Sequence, residues 1–252
     1  VARLANDYLP PLALLALLLL GWEVLVRARN IPDWLLPAPS QIAATTVETL
    51  PILGGHITAT LWVTAIGFVL ALLIGFALAF MVDASPLIRR MLYPLLVASQ
   101  TIPLVAIAPL LVVGLGFGTL PKVLVVALVT FFPIVVNTVD GLQSADRDMV
   151  RLLQAMGASR WQTLRRLRIP AAGPAIFTGI KIAITYSVIG AVLAEWIGAS
   201  AGLGVYIARS LRAFRTDQVF VAAIITSLLT IALFGVTAAL ERWLLWWKGN
   251  NS

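Results

Sequence analysis

The chain has 252 residues, 60% of them hydrophobic and only 12% charged, and its mean hydropathy of +0.98 exceeds what one soluble core of this size can absorb. A net charge of +7 would suggest nucleic acid in a soluble domain, but in so apolar a chain it reports orientation in a bilayer, and no nucleic-acid partner is expected. The lack of cysteine excludes a disulfide framework and any thiolate metal site.

Charge-free runs at 8–22, 49–82, 91–121, 123–139, 182–194 and 218–240 predict an all-α, polytopic membrane protein with six transmembrane helices. A crossing takes about 20 apolar residues, so the spans are expected near 8–26, 58–82, 88–114, 120–140, 174–198 and 218–241, as one transmembrane domain over 1–252. The first follows Arg3 and runs through Leu9 to Leu20. It superficially matches a signal peptide, yet no small-residue cleavage site follows, and Gly21-Trp22-Glu23 with Arg27 and Arg29 favours a retained span. Trp22, Trp34 and the Trp243/Trp246/Trp247 group sit at span ends and read as interfacial anchors.

The second run is too long for one crossing, so an interfacial helix is expected near Pro39–Leu50. His56, the single histidine, follows two glycines and reads as a solvated loop residue with no second histidine to build a metal site. Gly67, Ala71, Gly75 and Ala79 then recur every fourth position, a small-residue stripe that lets another helix backbone approach. The third span carries Pro94, Pro103 and Pro109 and ends in Gly114, Gly116 and Gly118, so its backbone is expected to be kinked or unwound. Such breaks are tolerated beside protein or a water-filled path.

The longest polar insertion, 141–173, joins the fourth and fifth spans. Its core reads RDMVRLLQAMGASRWQTLRRLRIPAAGP from Arg147 to Pro174, predicting two helical stretches that meet at Gly157, the second stopping at Pro170. Asp146 and Asp148 are expected to cap the first of them rather than to act as an acid–base pair. Trp161, Leu164 and Leu167 recur at helical spacing with Arg160, Arg165 and Arg166 elsewhere around the turn, which makes an amphipathic helix. Such a helix lies on anionic lipid or docks a partner, and the spacing alone does not choose.

Polar residues within the spans are costly in lipid and are candidates for a solute path. Gln100, Thr101, Pro103, Asn137, Tyr186, Ser187 and Glu195 form that candidate set, with Thr185 beside them. Hydrogen bonding between helices is the alternative for each, and for Glu195 contact with interfacial water. No catalytic constellation is visible, and no metal site.

With both termini on one side, that side collects Arg3, Arg89, Arg90, Arg147, Arg151, Arg160, Arg165, Arg166, Arg168, Arg242 and Lys248. The other side has Arg27, Arg29, Lys122, Arg209, Arg212 and Arg215, so both termini are expected in the cytoplasm.

Gly157, nine residues, then Leu167-Arg168-Ile169-Pro170 resembles the second half of the Glu-Ala-Ala loop of ATP-binding-cassette importer permeases. In that family the loop reads Glu-Ala-Ala, three residues, Gly, nine residues, Ile-x-Leu-Pro. Here its first positions are Arg151, Leu152 and Leu153, so the acidic residue is lost. IPDWLLPAPSQI at Ile31–Ile42, GASRWQTLRRLRIPAAGPAI at 157–176 and AEWIGASAGLGVYI at Ala194–Ile207 are similar to the branch importing nitrate, sulfonates, taurine and vitamin precursors, and within it the run from Glu195 to Gly204 is most similar to permeases for thiamine pyrimidine precursors, then riboflavin.

The resemblance implies a cytoplasmic coupling helix between spans four and five that touches an ATPase through Arg151, Gly157, Ala158, Ser159, Trp161, Leu164, Leu167, Ile169 and Pro170. It also implies a bacterial inner-membrane location, a second permease copy forming a homodimer, two ATPase subunits that bind ATP and Mg, and an extracytoplasmic solute-binding protein. The chain itself lacks the G-x-x-x-x-G-K-[ST] phosphate loop and is expected to hold no cofactor and to be a transport subunit rather than an enzyme. An ion-coupled secondary transporter would need paired mid-membrane charges and a repeated half, and an intramembrane enzyme paired His or Asp within spans; neither pattern is clear.

Overall fold

A computed structural model describes residues 2–246, with side chains from Leu9 onward; Trp247 and Lys248 lie outside the described residues, as does the side chain of Arg3. Among the described residues the chain is helical without strands. The order is α1 (Ala2–Ala28), α2 (Pro39–Ala84), α3 (Pro86–Ser99), α4 (Leu104–Leu115), α5 (Thr119–Gln143), α6 (Arg147–Ala155), α7 (Arg160–Thr163), a π-helical turn (Leu164–Arg168), α8 (Ile169–Glu195), α9 (Leu203–Arg212) and α10 (Thr216–Leu244). Among the described residues five helical stretches are long and apolar enough to cross a bilayer, and α3 with α4, bent by 96° at their break, count as a sixth when the pair is taken as one span.

The core is a stack of three helices, with α5 between α2 and α8. Its basis is the small-residue stripe, which is buried as its spacing predicts: Ala71 and Ala79 have no exposure, and a Cβ on Gly67 would fall 2.5 Å from the Cβ of Val126. A Cβ on Gly75 would fall 2.9 Å from Ile134, one further contact along the same α5 face. On the other side of α5, Gly141 meets Ala172 and Ala175, and Gly179 meets the Pro133 carbonyl at 2.7 Å from a built Cβ. Lipid gives helices no hydrophobic drive to associate, so this close approach supplies the packing energy. Gly67→Ala is expected to lower stability by about 1–3 kcal/mol through overpacking. Gly235→Ala, with nothing within 4 Å, serves as the control and is expected to leave the thermal midpoint in detergent unchanged or slightly raised.

Several expectations are corrected. The stretch near Pro39–Leu50 is not a separate interfacial helix: α2 runs unbroken for 46 residues, roughly 69 Å at 1.5 Å per residue, through Pro51. Its first part is an arm held against α1 and α10, where Thr45 donates to Asp217 at 3.0 Å and Ser40 bonds Glu23 at 2.7 Å. His56 is therefore no loop residue but lies inside α2 and is partly buried. The third span is not one rod from 88 to 114, because the chain leaves the helix at Gln100–Pro103.

Nor does the helix after Gly157 stop at Pro170. Proline lacks an N–H and its ring collides with the carbonyl four residues back. The π-turn, in which the Ile169 N–H reaches the Leu164 carbonyl, shifts the register so that the helix passes through Pro170, giving 36 residues from Arg160 to Glu195. Trp22 is not an interfacial anchor: it packs on Phe220 with ring centroids 5.4 Å apart, and its Nε1 is buried without a partner. Trp34 and Trp243 are exposed as anchors should be. Finally, an ionisable pair does exist within the spans, since Lys181 on α8 donates to Glu241 on α10 beside the Phe234 ring.

Candidate functional site

The polar loop between the fourth and fifth crossings is built by two adjoining caps. Asp146 accepts from the Asp148 and Met149 N–H groups at 2.8 and 3.4 Å and starts α6, as its position predicts. At the far end, Ala158 N–H reaches the Leu153 carbonyl at 2.9 Å and Gly157 N–H the Gln154 carbonyl at 3.0 Å, the two bonds of a Schellman motif. That motif needs a left-handed residue, and Gly157 supplies it at φ +86°. Ser159 follows at once as the next N-cap in a full capping box with Gln162, at 3.2 and 2.7 Å. Three residues thus join the two helices, each of them making a capping hydrogen bond.

This tight corner displays apolar side chains. Met149, Leu152, Met156 and Trp161 are 49–76% exposed, ringed by Arg151, Arg160, Arg165 and Arg166. Of the sequence-based candidates, Arg151, Gly157, Ser159 and Trp161 are exposed, whereas Ala158, Leu164, Leu167, Ile169 and Pro170 are half-buried. A cavity of about 660 Å³ separates the corner from the end of α2, bounded by Phe80, Val150, Gln154, Trp161 and Leu164.

Arg168 closes the floor of that cavity. Its guanidinium donates to both Asp83 oxygens at 2.8 and 2.6 Å and, through Nε, to the Leu142 carbonyl at 3.0 Å. One side chain of the π-turn therefore fastens the C-terminal ends of α2 and α5. Asp83, the last charge before α3, had no sequence signal beyond its place at a span end.

A second cavity, about 460 Å³, lies where the third span breaks. The 14 residues of α3 rise roughly 21 Å before the break at Gln100, short of the roughly 30 Å of a bilayer core. Gln100 from the break, Phe132, Pro133 and Asn137 from α5, and Ile182 and Tyr186 from α8 line it. Three of the candidate path residues, Gln100, Asn137 and Tyr186, are thereby brought together. The others are not: Ser187 is fully buried and donates to the Ile184 carbonyl, Thr101 bonds the Ala98 carbonyl, and Pro103 caps α4 outside the lining.

Glu195 meets neither expectation for it. It is 1% exposed, away from interfacial water and from the cavity, and its Oε2 accepts from the Gly204 N–H at 2.8 Å. The adjacent Leu203 N–H donates to Thr60 at 2.8 Å, and the Gly202 N–H to His56 Nδ1 at 3.0 Å. Three successive amides at the start of α9 are each held by one side chain from α2 or α8. The sequence carried a trace of this, a carboxylate followed by Gly202 and Gly204, but not its two partners on α2.

A model of the family described as binding-protein-dependent transport system inner membrane component matches residues 67–246. The formylaminopyrimidine transport permease protein of Halalkalibacterium halodurans is 40% identical over 241 residues, 95% of this chain and 96% of that one. The riboflavin transport system permease protein of Chloroflexus aurantiacus is 37% identical, over 94% and 89%. A solved structure of an inward-facing methionine ABC transporter has the same fold, with a TM-score of 0.69 at 16% identity over 77% of this chain and 97% of that one.

Proposed function

The chain belongs to the binding-protein-dependent transport system inner membrane components, the permease subunits of ATP-binding-cassette importers, and from that membership we propose that it carries a thiamine pyrimidine precursor or a related vitamin precursor inward. It is an integral membrane transport subunit, and an importer of this kind works with an ATPase and a solute-binding protein. In the proposed assembly two copies of the chain pair, two ATPase subunits sit beneath them, and both termini face the cytoplasm beside the arginine-rich loop. Identity to the formylaminopyrimidine permease over nearly the full length supports the substrate. A sulfonate, taurine or nitrate substrate is the second reading, on the sequence resemblance to that branch.

The observation that carries the coupling role is the corner at Gly157, with exposed Met149, Leu152, Met156 and Trp161. Apolar side chains on a charged cytoplasmic loop fit a protein groove better than water, and Leu164, Leu167, Ile169 and Pro170 support them from below. Loss of the acidic residue at Arg151 is compatible with this role, because Arg151 and Asp148 make an exposed ion pair at 3.4 Å that contributes little. ATP-driven closure of the ATPase pair would move this corner and, through it, the membrane helices. The solute would pass by Gln100, Asn137 and Tyr186.

Co-expression with the ATPase encoded beside this chain tests the proposal. Gly157→Arg, which forces a side chain into the left-handed region, and Leu167→Glu are each expected to cut co-purified ATPase at least tenfold while the permease stays folded. Equal capture by both variants, or none by the unaltered chain, would make the corner a lipid-facing amphipathic element.

A further inference from the structure

The cavity at the broken span has a composition that selects by charge. Its lining holds no carboxylate, ammonium, guanidinium or imidazole group; Gln100, Asn137 and Tyr186 offer amide and hydroxyl groups, and Phe132 and Tyr186 offer ring faces. The nearest lysine in sequence, Lys181, is turned to Glu241 on α10 and engaged there. Asn137 is not free to swing, because its amide nitrogen donates to the Pro133 carbonyl at 2.8 Å and its Cβ abuts Gly179. Pro133 in turn has no N–H for the carbonyl of Val129, another lining residue, so the helical bond there is not made.

Resting on the permease reading above, we propose that this cavity is a substrate station that accepts planar, uncharged nitrogen heteroaromatics and rejects anions. A fixed amide and a mobile one can pair with the ring nitrogens and amino group along one edge of such a ring, while Tyr186 and Phe132 cover its faces. A sulfonate or nitrate entering the same space would leave its water shell and meet no cation, which is strongly unfavourable in a low dielectric. Its volume suits a one- or two-ring solute.

The test uses the purified permease–ATPase complex in lipid nanodiscs without binding protein, with tritiated formylaminopyrimidine and tritiated taurine in equilibrium dialysis. The unaltered complex is expected to bind the pyrimidine at least tenfold more tightly than taurine. Asn137→Leu and Gln100→Leu should each weaken pyrimidine binding about tenfold, and Ile182→Arg should weaken it while strengthening taurine. Gln100 lies in the break and caps α3 through its backbone, which a side-chain change leaves in place, so its variant keeps the test if Asn137→Leu fails to assemble. Equal binding of both solutes, unchanged pyrimidine binding in Gln100→Leu, or no pyrimidine binding at millimolar concentration overturns the station. Uptake by the complete importer in proteoliposomes separates the two levels: taurine uptake without pyrimidine uptake sinks the substrate reading, whereas normal pyrimidine uptake with no selection by the cavity sinks the station alone.

Discussion

Replacing Arg168 with methionine is expected to uncouple ATP hydrolysis from transport and to destabilise the subunit by about 3 kcal/mol, the lower part of the range for breaking a buried ion pair. The size follows from what is left behind. Asp83 is 8% exposed at its side chain and would lose both guanidinium bonds at once, becoming an unpaired carboxylate beside protein. The reverse change, Asp83→Asn, leaves a guanidinium that is 25% exposed and still bonded to the Leu142 carbonyl, so it should cost less. The double variant Asp83→Leu with Arg168→Met removes both charges and should be more stable than Arg168→Met alone. Thermal unfolding in detergent ranks the three.

The mechanical consequence is separate. Because Arg168 belongs to the π-turn between the corner and α8, while its partners end α2 and α5, it is the polar contact through which the loop grips two further helices. Arg168→Met and Asp83→Asn should therefore still capture the ATPase through the exposed corner, yet show at least a tenfold lower ratio of solute imported to ATP hydrolysed. Arg168→Lys, which retains charge but not the three-bond fork, should restore the ratio in part. An unchanged ratio in both Arg168→Met and Asp83→Asn would remove the clamp from the mechanism.

What was legible beforehand divides along physical lines. The α2 stripe could be read because small residues four apart have one use in lipid, close helix approach, and Gly67 and Gly75 meet Val126 and Ile134 as that use requires. The corner at Gly157 could be read because caps are local: Asp146, Gly157 and Ser159 act within a few residues of themselves. Pro170 misled because proline limits a helix only in the α register, and a π-turn has no signature in composition. His56, Thr60 and Asp83 stayed silent for another reason. Each acts on a residue far away in the chain, and a lone polar residue on an apolar helix gives no hint of its partner. For the cavity, Gln100, Asn137 and Tyr186 stand out in the sequence by polarity alone; the bend of 96° sets Gln100 beside the α5 and α8 residues, while Ser187, the next residue on α8, is buried away from the lining.

Gly202→Ala is expected to destabilise the start of α9 strongly, for two reasons that add. Gly202 sits at φ +133°, ψ 159°, a region open almost only to glycine and costing a side-chain-bearing residue about 1–3 kcal/mol. A Cβ there would also fall 2.2 Å from Glu195 Cδ and 2.4 Å from the Oε2 that holds Gly204, so either the carboxylate or the turn must move. If the carboxylate moves, the buried Gly204 N–H loses its acceptor at a further cost of about 1–3 kcal/mol. Glu195→Gln keeps an oxygen for that amide and should be mild, while Glu195→Ala removes it and should not. The informative measurement is the cycle of Gly202→Ala, Glu195→Ala and their double variant, read as detergent thermal stability. Since the clash lies between these two side chains, the double variant should lose less than the sum of the single losses. Strict additivity would mean that backbone strain alone makes Gly202 necessary, and that Glu195 does not shape the start of α9.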